Sequence, residues 1–387
     1  MSFAAETAEL TIDALAAGGD GVGRDAGGRV VFVPFTAPGD RVVATIEPGG
    51  KRFARGRVRT LLTAGPSRTD PLCAVFGSCG GCAWQHVAYE AQVAAKRAIL
   101  HDALARIGGL APPGEIPVTA CPAPYGYRSR TRVVVAQGRV GYRRRRSNAV
   151  CATARCPVLV PALDEALAAL AARPPHEDGE WELAAGDGGE VRVTRVGAVA
   201  AEPARLALGA AGERIERTPG VFAQSNALLL DALARAVRRE AGAGERALEL
   251  FAGAGFFTLA LARGFARVVA VEGDPAAAAD LVHNLAAAGL RNVEVRAEAA
   301  ERALAGSGAS FDVVILDPPR TGLARGAAAR VAALGARRIV YLSCDPATLA
   351  RDLAEIAQAG YALARVEGFD LFPQTPHVEA LATLVAD

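Results

Sequence analysis

Hydrophobic and polar positions alternate with a period of two in the N-terminal part of the chain, from Glu6 to about Leu62. The runs GRVVFVPF, DRVVATIE and ARGRVRTLL are short and rich in valine, and glycine or proline turns separate them. Short strands between tight turns are typical of a small β-barrel. The pattern therefore predicts an N-terminal barrel within residues 1–64.

A different pattern begins after Pro219, where apolar strands alternate with helical segments. The predicted strands are RALELF, RVVAVE, VEVRA, FDVVILD and RRIVYLSC, and helices lie between them. This alternation predicts a doubly wound α/β sheet, so residues 219–387 are expected to form a Rossmann-like domain. Residues 65–218 mix helix and strand patterns and are expected to form a small α+β domain.

Composition narrows the choice of protein class only in part. A chain of 387 residues is long enough for several hydrophobic cores, and its formal net charge of +2 does not by itself indicate a nucleic-acid binder. No apolar run reaches the roughly 18 residues that cross a bilayer, and the N-terminus lacks a basic flank before an apolar core. We expect a soluble, cytoplasmic protein without a membrane partner or an obligate protein partner.

A glycine turn in ELFAGAGFFT follows a predicted strand and opens a helix. There Gly253 and Gly255 would allow a ligand to approach the backbone closely, and Glu272 ends the next strand, where a carboxylate can accept hydrogen bonds from ribose hydroxyls. The alternative is a dinucleotide such as NAD(P), but Thr258 replaces the third glycine of that fingerprint. A ligand without pyrophosphate, such as S-adenosylmethionine (SAM), fits better.

Two further loops leave the same predicted edge of the sheet. LDPPR carries Asp317, and YLSCDPATLARD places Cys344 between a strand and the start of a helix. Unpaired backbone NH groups at a helix N-terminus stabilise a thiolate, so Cys344 is a candidate nucleophile. The alternative is a small buried apolar residue. Glu379, in HVEALATLV near the C-terminus, taken alone would be a surface carboxylate.

The chain has seven cysteines and no signal peptide, which argues against a disulfide framework. Cys73, Cys79 and Cys82 are separated by five and two residues, and Cys156 follows later in RCP. This spacing favours an iron-sulfur cluster, and structural zinc is the rival because four thiolates also satisfy Zn²⁺. Cys151 is an alternative fourth ligand, whereas Trp84 and His86 are expected to be packing residues.

Together these motifs resemble the uracil-5 RNA methyltransferase family over nearly the whole chain, and in particular its iron-sulfur branch acting on 23S rRNA. The matching stretches are CAVFGSCGGCAWQHVAYEAQ, FAQSN, the glycine turn, DPPRTG, SCDPATLARD and HVE. The resemblance implies an N-terminal TRAM domain that binds RNA and a [4Fe-4S] cluster on Cys73, Cys79, Cys82 and Cys156.

For the reaction, the resemblance implies that Cys344 adds to C6 of uracil, that C5 takes the methyl group of SAM, and that Glu379 then removes the C5 proton. Gln224, Phe251, Glu272 and Asp317 match positions that hold SAM in the family, beside the turn at Gly253. The expected substrate is 23S rRNA, with the tRNA T-loop as the alternative.

A basic hairpin over Tyr127 to Asn148 is the candidate RNA contact. Arg128, Arg130 and Arg132 alternate and would share one strand face, and a basic run follows at Arg143 to Arg146. This face would bind phosphates, and the alternative is a solvated arginine face.

The chain also departs from the family pattern. Asp345 stands where asparagine is usual and would oppose thiolate formation, while Ala252, Phe256 and Glu249 replace common residues of the glycine turn. Two other hypotheses follow: a radical-SAM methylthiotransferase, whose cysteine spacing differs, and an iron-sulfur RNA-binding protein that has lost its activity.

Overall fold

The computed structural model describes residues 6–48, 50, 52–197, 205–305 and 310–386. Within these ranges, none of the helices combines the length and the apolar character needed to cross a membrane.

The N-terminal barrel is formed by five strands that close in the order β1-β2-β3-β5-β4. Alternate side chains point inward, so the core is filled with valine, isoleucine, leucine and alanine. The buried carboxylate of Asp40 accepts hydrogen bonds from the backbone NH groups of Ala37 and Gly65 and pairs with Arg68 at 2.6 Å, which ties the barrel to the segment that follows. The strands are β1 (Thr7–Leu15), β2 (Gly21–Arg24), β3 (Val30–Val33), β4 (Arg41–Ile46) and β5 (Phe53–Thr63).

The middle of the chain contains two helices and a five-stranded antiparallel sheet in the order β11-β10-β7-β8-β9. The first helix runs from Tyr89 and ends in a π-helical turn at Leu104–Gly108, and the second begins with Pro161, whose fixed φ suits a first helical turn. The elements are α1 (Tyr89–Ala103), β6 (Val118–Thr119), β7 (Arg130–Ala136), β8 (Arg139–Arg143), β9 (Val150–Ala152), α2 (Pro161–Ala172), β10 (Gly179–Ala185) and β11 (Val191–Arg195).

The C-terminal part is an eight-stranded sheet in the order β16-β15-β14-β17-β18-β20-β19-β6. Strands β14 to β18 are parallel, whereas β20 is antiparallel to both of its neighbours. A separate hairpin precedes this sheet. The elements are β12 (Leu206–Ala210), β13 (Glu213–Arg217), α3 (Leu230–Ala241), β14 (Gly244–Leu250), α4 (Thr258–Ala262), β15 (Phe265–Val271), α5 (Pro275–Ala287), β16 (Val293–Arg296), α6 (Ala300–Ala305), β17 (Val313–Leu316), α7 (Ala327–Ala333), β18 (Arg338–Ser343), α8 (Pro346–Gln358), β19 (Tyr361–Phe369) and β20 (Glu379–Ala386).

The strand order reverses at β14, which lies between β15 and β17. In open α/β sheets such a point leaves a crevice at the carboxyl ends of the strands, where ligands bind. Two helices that start near this edge, α5 and α8, are capped by Asp274 and Asp345, each followed by proline. Each aspartate accepts hydrogen bonds from two NH groups of the first turn, which fixes where the helix begins.

The segment predicted as a separate α+β domain is joined to the C-terminal sheet more closely than the sequence suggested. Its short strand β6 extends the sheet as an edge strand beside β19. The apolar side chains of Leu100, Leu104 and Ile116 are buried in the same core as β18 and α8. Leu100 and Leu104 therefore pack the helix on the sheet domain.

A fully buried ion pair crosses this contact. Lys96 in α1 pairs with Asp370, the residue after β19, and both side chains have no exposed surface. Lys96 also donates to the carbonyl of Phe372 at 2.9 Å. Burial lowers the pKa of Lys96, and the neighbouring Asp370 carboxylate opposes that shift. Removal of one partner would leave an uncompensated charge in the core.

We therefore expect Lys96→Met to lower the free energy of unfolding by about 3–5 kcal/mol, because Asp370 would stay buried without a cation. Urea unfolding measures this. As a control, Arg235→Met removes one partner of the exposed pair with Asp231 and should change stability by less than about 1 kcal/mol. The double variant Lys96→Met/Asp370→Leu should recover most of the loss, and a Lys96→Met protein as stable as the unmodified one would contradict the prediction.

Candidate active site

The predicted catalytic residues meet because of how two neighbouring strands pair. In the antiparallel register of β18 with β20, the last pair is Ser343 opposite Ala380; Cys344 directly follows this pair and Glu379 directly precedes it in the chain. The Glu379 carboxyl group lies close enough to act on the Cys344 thiol through its charge. The carboxyl end of β18 and the amino end of β20 therefore bring the thiol and the carboxyl group together.

The Cys344 thiol is half-buried, and its pKa is raised to about 11. Burial is the main cause, the Glu379 and Asp317 carboxyl groups add to it, and Arg320 opposes it through its charge and a hydrogen bond to the thiol. The expected lowering by the helix N-terminus is thus outweighed. Asp345 is not among the main causes, and its carboxylate instead caps α8 through the NH groups of Ala347 and Thr348.

Glu379 is almost fully buried at 2% exposure, and its pKa is raised well above the ordinary value. Burial is the largest cause, and the charge of Asp317 adds to it, whereas Arg320 acts in the opposite direction. Burial also raises the pKa of Asp317, at the end of β17, to about 7. A carboxylate with a raised pKa is a stronger base once it is ionised, which suits a group that must take a proton from carbon.

The glycine turn after β14 has the backbone geometry that close ligand approach requires. Phe251, Gly253 and Gly255 all have positive φ, at 66°, 55° and 96°. A Cβ atom on Gly255 would lie 2.6 Å from a methyl carbon of Leu281, so helix packing excludes any side chain there. Among the described residues, and apart from the two chain neighbours, no atom lies within 4 Å of the corresponding position on Gly253, so this side of the turn is open.

Glu272 lies directly beside this turn. One carboxylate oxygen accepts the backbone NH of Gly253 at 2.7 Å, and the other accepts the NH of Asp274 at the same distance. Each oxygen keeps a second lone pair for a ribose hydroxyl. The carboxylate is therefore held rigidly at the tip of β15 and is still able to bind ligand.

Glu249 is buried beneath the turn at 2% exposure. It accepts a hydrogen bond of 2.6 Å from the hydroxyl of Thr258, the residue at the third position of the glycine pattern. Burial raises the pKa of Glu249 to about 8, and the charges of Asp317 and Glu272 contribute. The three carboxyl groups are thus close enough to influence one another through their charges.

Gln224 is buried in the loop before α3, and no hydrogen bond in the described ranges joins its side chain to the other predicted SAM residues. The loop itself is fixed by Asn226. The Asn226 amide, fully buried, donates to the carbonyl of Leu371 at 3.1 Å and lies 3.3 Å from the Cys121 sulfur. The Cys121 sulfur is therefore in contact with the Asn226 amide.

The four predicted ligand cysteines line one cavity of about 130 Å³: Cys73, Cys79, Cys82 and Cys156. Burial raises the pKa of Cys79 to about 11 and that of Cys82 to about 12. Within the described residues, no group of three or more histidine, cysteine, aspartate or glutamate side chains is arranged to hold a metal ion. The buried Cys151 is not part of the cavity lining.

Two neighbours of this cavity are packing residues, as the sequence predicted. Trp84 is fully buried and donates its ring NH to the carbonyl of Gly19 at 3.0 Å. His86 is buried against the rings of Phe35 and Phe76. Because Phe35 belongs to the barrel and Phe76 to the cysteine segment, these rings connect the two parts of the chain.

Comparison with known proteins agrees with this arrangement. A family model described as tRNA (uracil-5-)-methyltransferase matches residues 212–386, and a TRAM domain model matches residues 3–58. The 23S rRNA (uracil(1939)-C(5))-methyltransferase RlmD of Edwardsiella ictaluri is 36% identical, over 96% of this chain and 94% of its own. An uncharacterised RNA methyltransferase of Thermosynechococcus vestitus is 35% identical over 98% of both chains.

The chain belongs to the uracil-5 RNA methyltransferase family. A solved structure also matches, that of the tRNA (uracil-54, C5)-methyltransferase of Pyrococcus abyssi in complex with S-adenosyl-L-homocysteine. Its TM-score is 0.75 and its identity 26%, over 97% of this chain and 100% of that one. The TRAM prediction is confirmed, and family membership replaces the radical-SAM hypothesis.

Several arginines of the basic hairpin form ion pairs within the protein, which the sequence did not predict. Arg130 and Arg132 share one strand face, but both approach the buried Glu182, at 2.5 and 3.5 Å. Arg145 pairs with Asp20 of the barrel and covers the ring of Phe35. Five arginines of the hairpin are exposed: Arg132, Arg139, Arg143, Arg144 and Arg146.

Arg320 is the site residue that sequence reasoning missed. It lies in the motif LDPPR, yet only Asp317 of that motif was assigned a role. In the structure it is the cation that acts on both Cys344 and Glu379. The signal was visible in the sequence, since a thiolate and two carboxylates at one sheet edge require a positive charge.

In the free protein, alkylation of Cys344 by iodoacetamide should become about tenfold faster per pH unit between pH 7 and 9, because a thiol with a pKa near 11 is far from saturation in that range. Mass spectrometry of the Cys344 peptide measures the rate. Arg320→Gln should slow it, whereas Arg325→Gln, at an exposed arginine nearby, should not. A rate that is constant over this pH range would show that the thiolate is already formed.

Proposed function

We propose that the protein is a SAM-dependent methyltransferase that forms 5-methyluridine in RNA, with 23S rRNA as its substrate. The observation that carries the proposal is that Cys344 and Glu379 lie at the adjoining ends of β18 and β20, where Arg320 and Asp317 act on both through their charges. The relatives at 35–36% identity that are named for a substrate act on 23S rRNA. Such a substrate would place the protein in the cytoplasm.

The chemistry begins with the thiol. Uracil C5 is a poor nucleophile, so the Cys344 thiolate, stabilised by Arg320, adds to C6 and breaks the C5–C6 double bond. The electron pair makes C5 an enolate carbon, which attacks the methyl group of SAM and releases S-adenosylhomocysteine. Glu379 then takes the C5 proton, the C5–C6 double bond re-forms, and the thiolate leaves. The product is 5-methyluridine.

We assign SAM to the crevice above β14. The open side of Gly253 allows the ligand to approach the turn, and Glu272 would bind the ribose hydroxyls. Phe251, Gln224 and Asp317 complete the proposed site. The negative groups at the edge suit a positively charged sulfonium, because opposite charges attract strongly in a buried crevice.

The nucleophile can be tested with RNA in which 5-fluorouridine replaces uridine. Fluorine at C5 cannot leave as a proton, so we expect a covalent protein–RNA complex that survives denaturation and requires SAM. Denaturing gel electrophoresis detects it. Cys344→Ala should abolish the complex, whereas Cys121→Ala, at a buried cysteine outside the site, should retain it. The absence of a complex with every RNA would favour an inactive RNA-binding protein.

The same experiment separates two substrates. The tRNA T-loop is the second candidate because the solved structure that matches over nearly the whole chain is a tRNA methyltransferase. We expect the complex with 23S rRNA fragments and not with tRNA. The reverse result would reassign the substrate and leave the mechanism unchanged.

For ordinary uridine, Glu379→Gln should trap the step after methyl transfer. The amide cannot take the C5 proton, so the thiolate cannot leave and a methylated covalent intermediate should accumulate. Turnover should fall about 10²- to 10⁴-fold, the usual contribution of a general base. Mass spectrometry of the nuclease-treated complex checks this, and normal turnover of the variant would remove Glu379 from the mechanism.

We further propose that Cys73, Cys79, Cys82 and Cys156 hold a [4Fe-4S] cluster. Four sulfur donors line one cavity, and thiolates are the ligands that such a cluster requires. Gly80 and Gly81 lie between two of these cysteines in the sequence. The role of the cluster would be to stabilise the structure. Zinc remains the alternative. The methyl transfer as written above balances without the cluster.

Anaerobically purified protein should contain about four iron and four sulfide ions per chain and absorb broadly in the visible range. Cys79→Ala should lose both signals, whereas Cys121→Ala should keep them. Stoichiometric zinc without sulfide would overturn the assignment. If Cys79→Ala stays fully folded and binds RNA normally, the cluster is not structural.

A further inference from the structure

Glu379 is the first residue of β20 and directly follows a buried loop. Residues 370–378 connect β19 to β20, and most of their side chains are buried or half-buried although the segment has no regular structure. The Glu379 side chain makes no hydrogen bond within the described part of the chain. Its backbone is held on one side by pairing with Phe369 of β19 and on the other by the loop that leads into β20. The contacts that fix the loop therefore also influence where the base points.

The main contact is a pair of buried amides. The side-chain NH₂ of Gln92 in α1 donates to the side-chain oxygen of Gln374 at 2.9 Å, and the backbone NH of Gln374 donates to the Gln92 oxygen at 2.9 Å. Gln374 has a φ of 68°, a left-handed conformation that is uncommon for a residue with a side chain. Two reciprocal hydrogen bonds hold it there.

The same two glutamines also bind the segment after Cys82. The backbone NH groups of Ala83 and Trp84 both donate to the carbonyl of Gln374 at 3.0 Å. The Gln92 NH₂ group donates in turn to the carbonyl of Trp84 at 3.1 Å. Three segments that are distant in sequence therefore meet at one point, and Gln92, Gln374 and Trp84 are all buried there.

A second point of α1 fixes the start of the loop. Lys96 lies four residues after Gln92, on the same face of the helix, and pairs with Asp370. Phe369, the preceding residue, lies opposite Glu379 in the register of β19 with β20. The helix thus holds the loop at both Asp370 and Gln374.

We propose that the Gln92–Gln374 amide pair positions Glu379 for removal of the C5 proton. The two glutamines are positioning residues, since they touch neither substrate nor the reacting atoms. The inference rests on the proposed function and adds to it a specific step: a defect in the pair slows proton removal and release of the thiolate, but not the addition of Cys344 to C6.

Two variants test this. Gln92→Met removes the amide with little change in volume, and Gln374→Gly removes the other amide while it keeps the carbonyl and tolerates the positive φ. With ordinary uridine in the RNA, turnover should fall about 10- to 100-fold, the effect of a small displacement of a catalytic group. The methylated covalent intermediate should accumulate, as expected for Glu379→Gln.

The fluorouridine reaction is the second readout, because it needs Cys344 and SAM but not Glu379. Both variants should form that complex at a rate within about twofold of the unmodified protein. The control is Asn292→Leu, which removes an amide that binds the carbonyls of Ala262 and Phe265 away from the loop. It should leave both readouts unchanged.

Three outcomes overturn the inference. Normal turnover in both variants would show that the pair does not position the base. A parallel fall in turnover and in fluorouridine complex formation would show a purely structural role, and thermal unfolding would reveal the accompanying loss of stability. If the unmodified protein forms no covalent complex with fluorouridine RNA, the proposed function itself fails. This outcome is visible before any variant is made.

Discussion

The antiparallel pairing of β20 with β18 is the constraint on which the site depends. A parallel neighbour would bring the carboxyl end of another strand to this edge, whereas an antiparallel one brings its amino end, and with it Glu379. A slip of one residue would turn that side chain to the opposite face of the sheet. The register also buries the carboxyl group beside a thiol, and the low polarity of that corner raises the pKa of both.

This raised pKa has a chemical consequence. A thiol that is mostly protonated does not react with passing electrophiles, and a carboxyl group with a raised pKa is a stronger base when it ionises. Arg320 supplies the positive charge that favours the thiolate. The site thus holds several weak acids close together, with Arg320 as the cation that acts on them.

The helices and strands around the site could be predicted from the sequence, because they depend on local patterns. The glycine turn, the strand ends at Glu272 and Asp317 and the helix start at Asp345 all follow from residues that are close in the chain. The raised pKa of the Cys344 thiol could not be predicted. The helix N-terminus beside it is visible in the local sequence, whereas its burial and the nearby Glu379 charge depend on the tertiary structure. The partner of Arg130 is likewise 52 residues away, and Gln92 and Gln374 are 282 residues apart.

The central claim is that the methyl group goes to C5 of a uridine in 23S rRNA through Cys344 and Glu379. Release of tritium from RNA labelled at C5 of uridine tests it most directly, because a methyl group can remain on C5 only if the hydrogen leaves. We predict SAM-dependent tritium release from 23S rRNA, equal in amount to the methyl groups incorporated and absent in Cys344→Ala. Methyl transfer without tritium release would place the reaction at another atom and contradict the account.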